Sequence, residues 1–157
     1  MVKIGAGMIG NGMIGSEPRV GCGAAIVAED RILLLRRLTE PEAGCWGLAG
    51  GKIDLFETAE AAMRREVAEE LGILVGEAEL LCFVDQIDPA AGTHWVAPVF
   101  LVRAFTGKPC NVEPAKHEGP EWFGLDALPE RLTTPTRVAV AALRYLRSGW
   151  RHPSISG

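Results

Sequence analysis

Residues 51–73 read GKIDLFETAEAAMRREVAEELGI, and the second half of this stretch decides how the chain folds. From Thr58 to Leu71 there is neither glycine nor proline, and Gly72 follows at once. That composition predicts a helix closed by a residue free to adopt the left-handed conformation. At about 100° per residue, Met63, Val67 and Leu71 line one i, i+4, i+8 row, and Glu66, Glu69 and Glu70 fall in an adjoining sector about 100° wide. Three carboxylates therefore stand beside the seam that must be buried. Like charges three and four residues apart repel by roughly a few tenths of a kcal/mol per pair, and by more where water is excluded. A hard divalent cation offsets that repulsion, since Mg2+ prefers carboxylate oxygens and leaves positions for water and phosphate. A solvated acidic face with Arg64 and Arg65 as local partners is the competing reading.

Just upstream, Gly50 and Gly51 carry no Cβ, so the backbone there can approach a ligand closely. Further back, residues 20–28 form a β-rich run, Glu29-Asp30 a turn, and Ile32-Leu33-Leu34-Leu35 a continuous apolar run. Together these predict a hairpin with a buried second strand. Residues 39–44 are loop. Downstream, residues 79–86 and 94–105 are strand candidates joined by a loop containing Asp88-Pro89 and Gly92. Residues 107–119 are polar and contain proline, residues 121–123 form a short strand, and residues 136–147 form a second helix with apolar Val138, Val140, Ala141, Leu143 and Leu146. Strands, helix, strands, helix, with no repeat and no linker, predict one α+β or layered α/β/α domain.

The 157 residues are 48% hydrophobic and 23% charged, the profile of one globular core. Only 10 residues are aromatic, so Ala, Val, Leu and Ile must build that core. A net charge of −4 offers no footprint for a nucleic-acid polymer, and no apolar run reaches the roughly 18 residues a membrane span needs. Cys22, Cys45, Cys82 and Cys110 are widely spaced with no C-x-x-C pair, the pattern of reduced thiols in a cytoplasmic protein. Near the start, Gly5-Ala6-Gly7-Met8-Ile9-Gly10 fits G-x-G-x-x-G, but only four residues precede it and Asn11-Gly12 interrupts any helix after it. Residues 1–18 are accordingly expected to be a flexible leader, residues 19–150 the domain and residues 151–157 a tail.

The spacing around the acidic helix identifies it more closely. Gly51, five residues, Glu57, seven residues, then Arg65-Glu66-Val67-Ala68-Glu69-Glu70-Leu71-Gly72-Ile73 matches all nine fixed positions of G-x5-E-x7-R-E-U-x-E-E-x-G-U, where U is aliphatic. The chain thus resembles a Nudix hydrolase, and the similarity extends from about Val20 to Leu146. The resemblance implies a Nudix-type α/β/α sandwich with a mixed central sheet, its motif forming a loop-helix-loop. It implies that Glu66, Glu69 and Glu70 bind metal, Mg2+ or alternatively Mn2+, with a Gly50 or Gly51 carbonyl as a further ligand. Arg65 and Glu57 match the supporting pair, Arg65 orienting the glutamates and Glu57 securing the loop. The reaction implied is attack of water on a diphosphate linkage. Ala49 stands where many members have proline, which lowers loop pre-organisation by about 0.4–1 kcal/mol.

The resemblance reaches three more residues. Arg37, at the end of the second strand, matches a phosphate- or nucleotide-contacting arginine, with Arg36 on the opposite face of a regular strand. Glu118 is the best match to a late-loop glutamate that binds metal or acts as a base in nucleotide-specific members, and Glu113 the second. An exposed strand-end arginine and solvated loop carboxylates are the alternatives. His94 reads as a structural histidine, and Trp46, Trp95, Trp122 and Phe123 as core aromatics rather than base-stacking ones. The chain looks most like the MutT-like branch, which converts a nucleoside triphosphate to the monophosphate and pyrophosphate. ADP-ribose or another nucleoside diphosphate derivative is the second substrate reading, and a non-catalytic nucleotide-binding module the third. Nudix relatives are often homodimers, so the resemblance implies that state as well.

Overall fold

Glu29 and Asp30 both adopt left-handed backbone angles, φ 48° and 59°, in the computed structural model, which describes residues 17–149. A two-residue hairpin loop needs this pair of angles to match the twist of its strands. It joins β1 (Arg19–Ala28) to β2 (Arg31–Arg37), with Val27 opposite Ile32. Two short strands follow, β3 (Trp46–Gly47) and β4 (Ala49–Lys52), and then helix α1 (Ala59–Leu71). Strands β5 (Leu74–Val75), β6 (Ala78–Asp88), β7 (Thr93–Val102), β8 (Phe105–Thr106) and β9 (His117–Gly124) lead to helix α2 (Thr134–Arg147). The pattern at residues 5–10 and the expected tail lie outside the described residues.

The sheet is mixed because β1 runs parallel to β7 and antiparallel to β2 and β4. Its order is β3-β2-β1-β7-β6, with β9 pairing β2, while β5 and β8 form a separate pair. Both faces of β1 and β2 are covered, which explains their continuous apolar runs. On one face Ala24, Ile26, Leu33 and Leu35 pack with Met63, Val67 and Leu71 of α1. On the other, Ala25, Ile32 and Leu34 pack with Ala139, Val140 and Leu143 of α2. The result is the α/β/α sandwich. Burying each large aliphatic side chain contributes about 1.5–3 kcal/mol.

Local chemistry sets the helix ends. Thr58 caps α1, its Oγ1 accepting from Ala61 N at 3.2 Å, and Gly72 ends it at φ 66°. Helix α2 begins at Thr134 rather than Thr136, because Thr133 takes the cap position and Pro135 is accommodated in the first turn. Two strands also differ from expectation. β7 stops at Val102, and Phe105 leaves it to pair with Val75.

The second difference governs the site. β9 starts at His117, so residues 117–120 belong to a strand and not to the late loop. Leu34 pairs with Glu121 but Arg36 pairs with Glu118, so β9 carries one extra residue between these pairs, beside Gly119 at φ 97°. A one-residue slip transfers every following side chain to the opposite face. Leu33 and Trp122 are partners on the α1 side, and past the bulge it is His117, opposite Arg37, that faces α1. Glu118 is turned away with Arg36.

Candidate metal and catalytic site

Thr58 and Gly72 fix where α1 starts and stops, and Met63, Val67 and Leu71 fix its roll on the sheet. Those constraints bring the glutamates against β4. A Cβ on Gly51 would lie 2.5 Å from Glu66 Cδ, so only glycine leaves room for that carboxylate. Gly50 N–H donates to Glu70 Oε2 at 3.0 Å, and the Gly51 carbonyl faces Cys22 Sγ at 3.6 Å. The three carboxylates are graded by depth: the Glu69 side chain is 52% exposed, Glu66 16% and Glu70 7%.

Arg65 ties these groups together. Its Nε and Nη2 donate to the two oxygens of Glu57, each at 2.9 Å, while Nη1 donates to Glu66 Oε1 at 2.7 Å and Glu69 Oε2 at 3.3 Å. Nη2 also reaches the Lys52 carbonyl at 3.1 Å. The guanidinium holds the Glu57 carboxyl below its ordinary pKa, and its own pKa is raised by the bonds to Glu57 and Glu66. Helix, preceding loop and β4 are thus joined by one planar cation.

Glu70 is in a different environment. Burial pushes its pKa up to about 8; the Gly50 N–H counters this, and the charges of Glu66 and Glu113 reinforce it. On its far side is His117, Nε2 to Oε1 at 3.7 Å, whose pKa is lowered by burial and by the Arg37 charge. His117 is 8% exposed and its Nδ1 has no hydrogen-bond partner. Donor atoms of Glu70, Glu113 and His117 lie within 4.8 Å of one another. A buried carboxylate surrounded by further carboxylates, with one N–H to stabilise it, is what a divalent cation would neutralise. The donor set fits such an ion.

The other expected residues are distributed as follows. Glu113 is at the site, paired with Lys116 at 2.7 Å. Glu118 is not brought to Glu70: its carboxylate meets Arg36 Nη1 at 3.0 Å, because the β9 bulge turns it to the other face. Arg37 Nε donates to the Pro41 carbonyl at 2.8 Å and so pins the loop after β2. Arg36, not Arg37, lines a cleft of about 240 Å³ with Gly44, Trp46, Pro129, Glu130 and Arg131. Trp46 meets Phe123 edge-on at 4.8 Å, Trp122 stacks on Phe105 within the α1-side core, and His94 Nε2 lies 3.6 Å from Asp85. Two residues had no signal in the sequence. His117 depends on the bulge, and Glu42 accepts from both the backbone N–H and Oγ1 of Thr134 at the start of α2, 2.8 and 2.9 Å. All four cysteines are free, and no helix among the described residues is long and apolar enough to cross a membrane.

Comparison with known proteins gives the family. The NUDIX domain family matches residues 17–143. The crystal structure of a MutT NUDIX hydrolase from Burkholderia pseudomallei superposes with a TM-score of 0.81 at 58% identity, covering 82% of this chain and 99% of that one. An ADP-ribose pyrophosphatase of Methanocaldococcus jannaschii is 32% identical over 114 residues, 73% of this chain and 66% of that protein, so the match spans slightly less than two thirds of it. An oxidized purine nucleoside triphosphate hydrolase of Danio rerio is 32% identical over 107 residues, 66% of this chain and 65% of that protein.

Proposed function

The chain belongs to the NUDIX domain family, and from that premise we propose that it hydrolyses a nucleoside triphosphate to the monophosphate and pyrophosphate in a reaction dependent on Mg2+ or Mn2+. The observation that carries the reading is the Glu66, Glu69 and Glu70 face held under Gly50-Gly51 by the Arg65–Glu57 pair. Glu66, Glu69 and Glu70 would hold the metal, which when bound neutralises phosphate oxygens and makes a water molecule more acidic. Water adds to phosphorus of the diphosphate linkage and gives up a proton to solvent, the bridging P–O bond breaks, and the leaving phosphate oxygen takes the electron pair. Arg65 keeps the carboxylates aimed during this exchange and Glu57 keeps Arg65 in place.

The name of the Danio relative favours the triphosphate, and that of the Methanocaldococcus relative favours ADP-ribose.

The test is kcat/KM for unmodified and oxidised triphosphates beside ADP-ribose, with products resolved by chromatography. A triphosphate is expected to lead, giving monophosphate and pyrophosphate. A lead of more than about tenfold for ADP-ribose, about 1.4 kcal/mol of transition-state binding, would overturn the substrate assignment. Orthophosphate as the sole small product would overturn the cleavage position. Tight nucleotide binding with no turnover in either metal would leave a binding module.

A further inference from the structure

The turn that precedes β9 delivers a second group of donor atoms to α1 from outside residues 51–73. Cys110 N donates to the Leu71 carbonyl and Val112 N to the Glu70 carbonyl, both at 3.0 Å, which fastens the turn to the end of the helix. Asn111 then closes it: Oδ1 accepts from Glu113 N at 3.1 Å and Nδ2 donates to the His117 carbonyl at 2.6 Å. The backbone N–H groups of Lys116 and His117 both donate to the Glu113 carbonyl, at 2.9 and 3.1 Å. Glu113 and His117 are therefore presented to the same point.

At that point they meet Glu70, with one donor atom from each residue within 4.8 Å of the others. Glu70 Oε2 is taken by Gly50, while Oε1 faces the imidazole at 3.7 Å, too far for a hydrogen bond. The His117 side chain is only 9% exposed and Nδ1 has no partner at all. Lys116 engages Oε1 of Glu113 at 2.7 Å. His117 Nε2 and Glu70 Oε1 thus face each other without a hydrogen bond, and a cation held between them would engage both.

We propose that Glu70, Glu113 and His117 form an inner cation site selective for a first-row transition-metal ion over Mg2+, set deeper than the position offered by Glu66 and Glu69. It rests on the metal-dependent reading through the shared Glu70. The selectivity follows from donor chemistry. Mg2+ dehydrates reluctantly and favours all-oxygen surroundings, whereas imidazole nitrogen binds transition-metal ions well.

Mn2+ is the probe, and pulsed electron paramagnetic resonance of the full chain reads it. The wild-type protein loaded with Mn2+ should show nitrogen modulation from a directly bound imidazole, and labelling histidine with 15N should change its pattern. The chain has three histidines, so the signal should persist in H94Q/H152Q, which leaves His117 alone. H117Q should lose it and weaken Mn2+ binding at least about tenfold, with Mg2+ affinity changed less than about threefold. No nitrogen signal in Mn2+-saturated wild type overturns the proposal, as does a signal that survives in H117Q. If H117Q fails to fold, the labelling and H94Q/H152Q measurements decide by themselves. Hydrolysis with Mg2+ alone, measured in parallel, separates the two readings. Turnover without the nitrogen signal removes this site and leaves the proposed function, whereas the signal without turnover does the reverse.

Discussion

Arg65 grips both oxygens of Glu57 through Nε and Nη2, each bond 2.9 Å long, while Nη1 holds Glu66 at 2.7 Å. One side chain therefore sets the position of the loop before α1 and the aim of a carboxylate on it. Lysine keeps the charge but has no planar fork. R65K should lower kcat by at least about tenfold at saturating metal, and E57Q by less than E70Q. Steady-state hydrolysis checks both, and an R65K enzyme with unchanged kcat would contradict the clamp.

E70Q should separate activity from stability. Glutamine keeps an oxygen for the Gly50 N–H but supplies no anionic ligand, so kcat should fall at least about 10²-fold. In chelator at pH 9, where burial makes the Glu70 charge costly, the variant should melt no lower than wild type. A clear drop in its melting temperature would count against a buried, unneutralised carboxylate.

The metal-free protein should lose stability as pH rises. Glu70 has an ordinary pKa of 4.5 and a folded value raised to about 8, so between those values the folded state holds a proton that the unfolded chain has released. Stability contributed by that proton is lost progressively across this window. His117, lowered from 6.5, acts in the opposite sense below about that pH, so the fall is cleanest from about 6.5 to 8. Melting in chelator across this range should show it, and Mg2+ or Mn2+ should stabilise more at pH 8 than at pH 6. A flat profile would disprove the assignment to Glu70.

G51A places a Cβ 2.5 Å from Glu66 Cδ and must displace the carboxylate. Weaker metal binding, a loss of activity of at least about tenfold and destabilisation of about 1–3 kcal/mol are expected. Calorimetric metal titration and thermal melting provide the readouts.

Glu113 and Glu118 should respond unequally. The Glu118–Arg36 pair is exposed, worth about 0–1 kcal/mol, and lies on the face away from Glu70. E118Q should therefore keep hydrolysis within about threefold of wild type, while E113Q should weaken Mn2+ binding. Equal losses in both variants would return Glu118 to the site.

Which parts of this molecule its sequence determines depends on the range of the forces involved. Helix α1 is written locally: Thr58 caps it, Gly72 ends it, and the i, i+4 spacing of Met63, Val67 and Leu71 sets its roll. Fixing those residues also fixes Glu66, Glu69, Glu70 and Arg65 on one side, which is why the motif could be read without a structure. The hairpin at Glu29-Asp30 is local too. Position along β9 is not. Its partner β2 is some eighty residues earlier in the chain, and one extra residue near Gly119 exchanges the faces of His117 and Glu118. No nearby pattern encodes that exchange, because side chains alternate with a period of two and any slip of one is invisible to local propensity. Arg36 and Arg37 likewise acquire their partners, Glu118 and the Pro41 carbonyl, only when the strand and loop around them are in place. The carboxylate face thus came from helical periodicity, whereas the choice of His117 as its neighbour was made by long-range strand register, and that of Glu113 by the backbone bonds that fasten the turn before β9 to the end of α1.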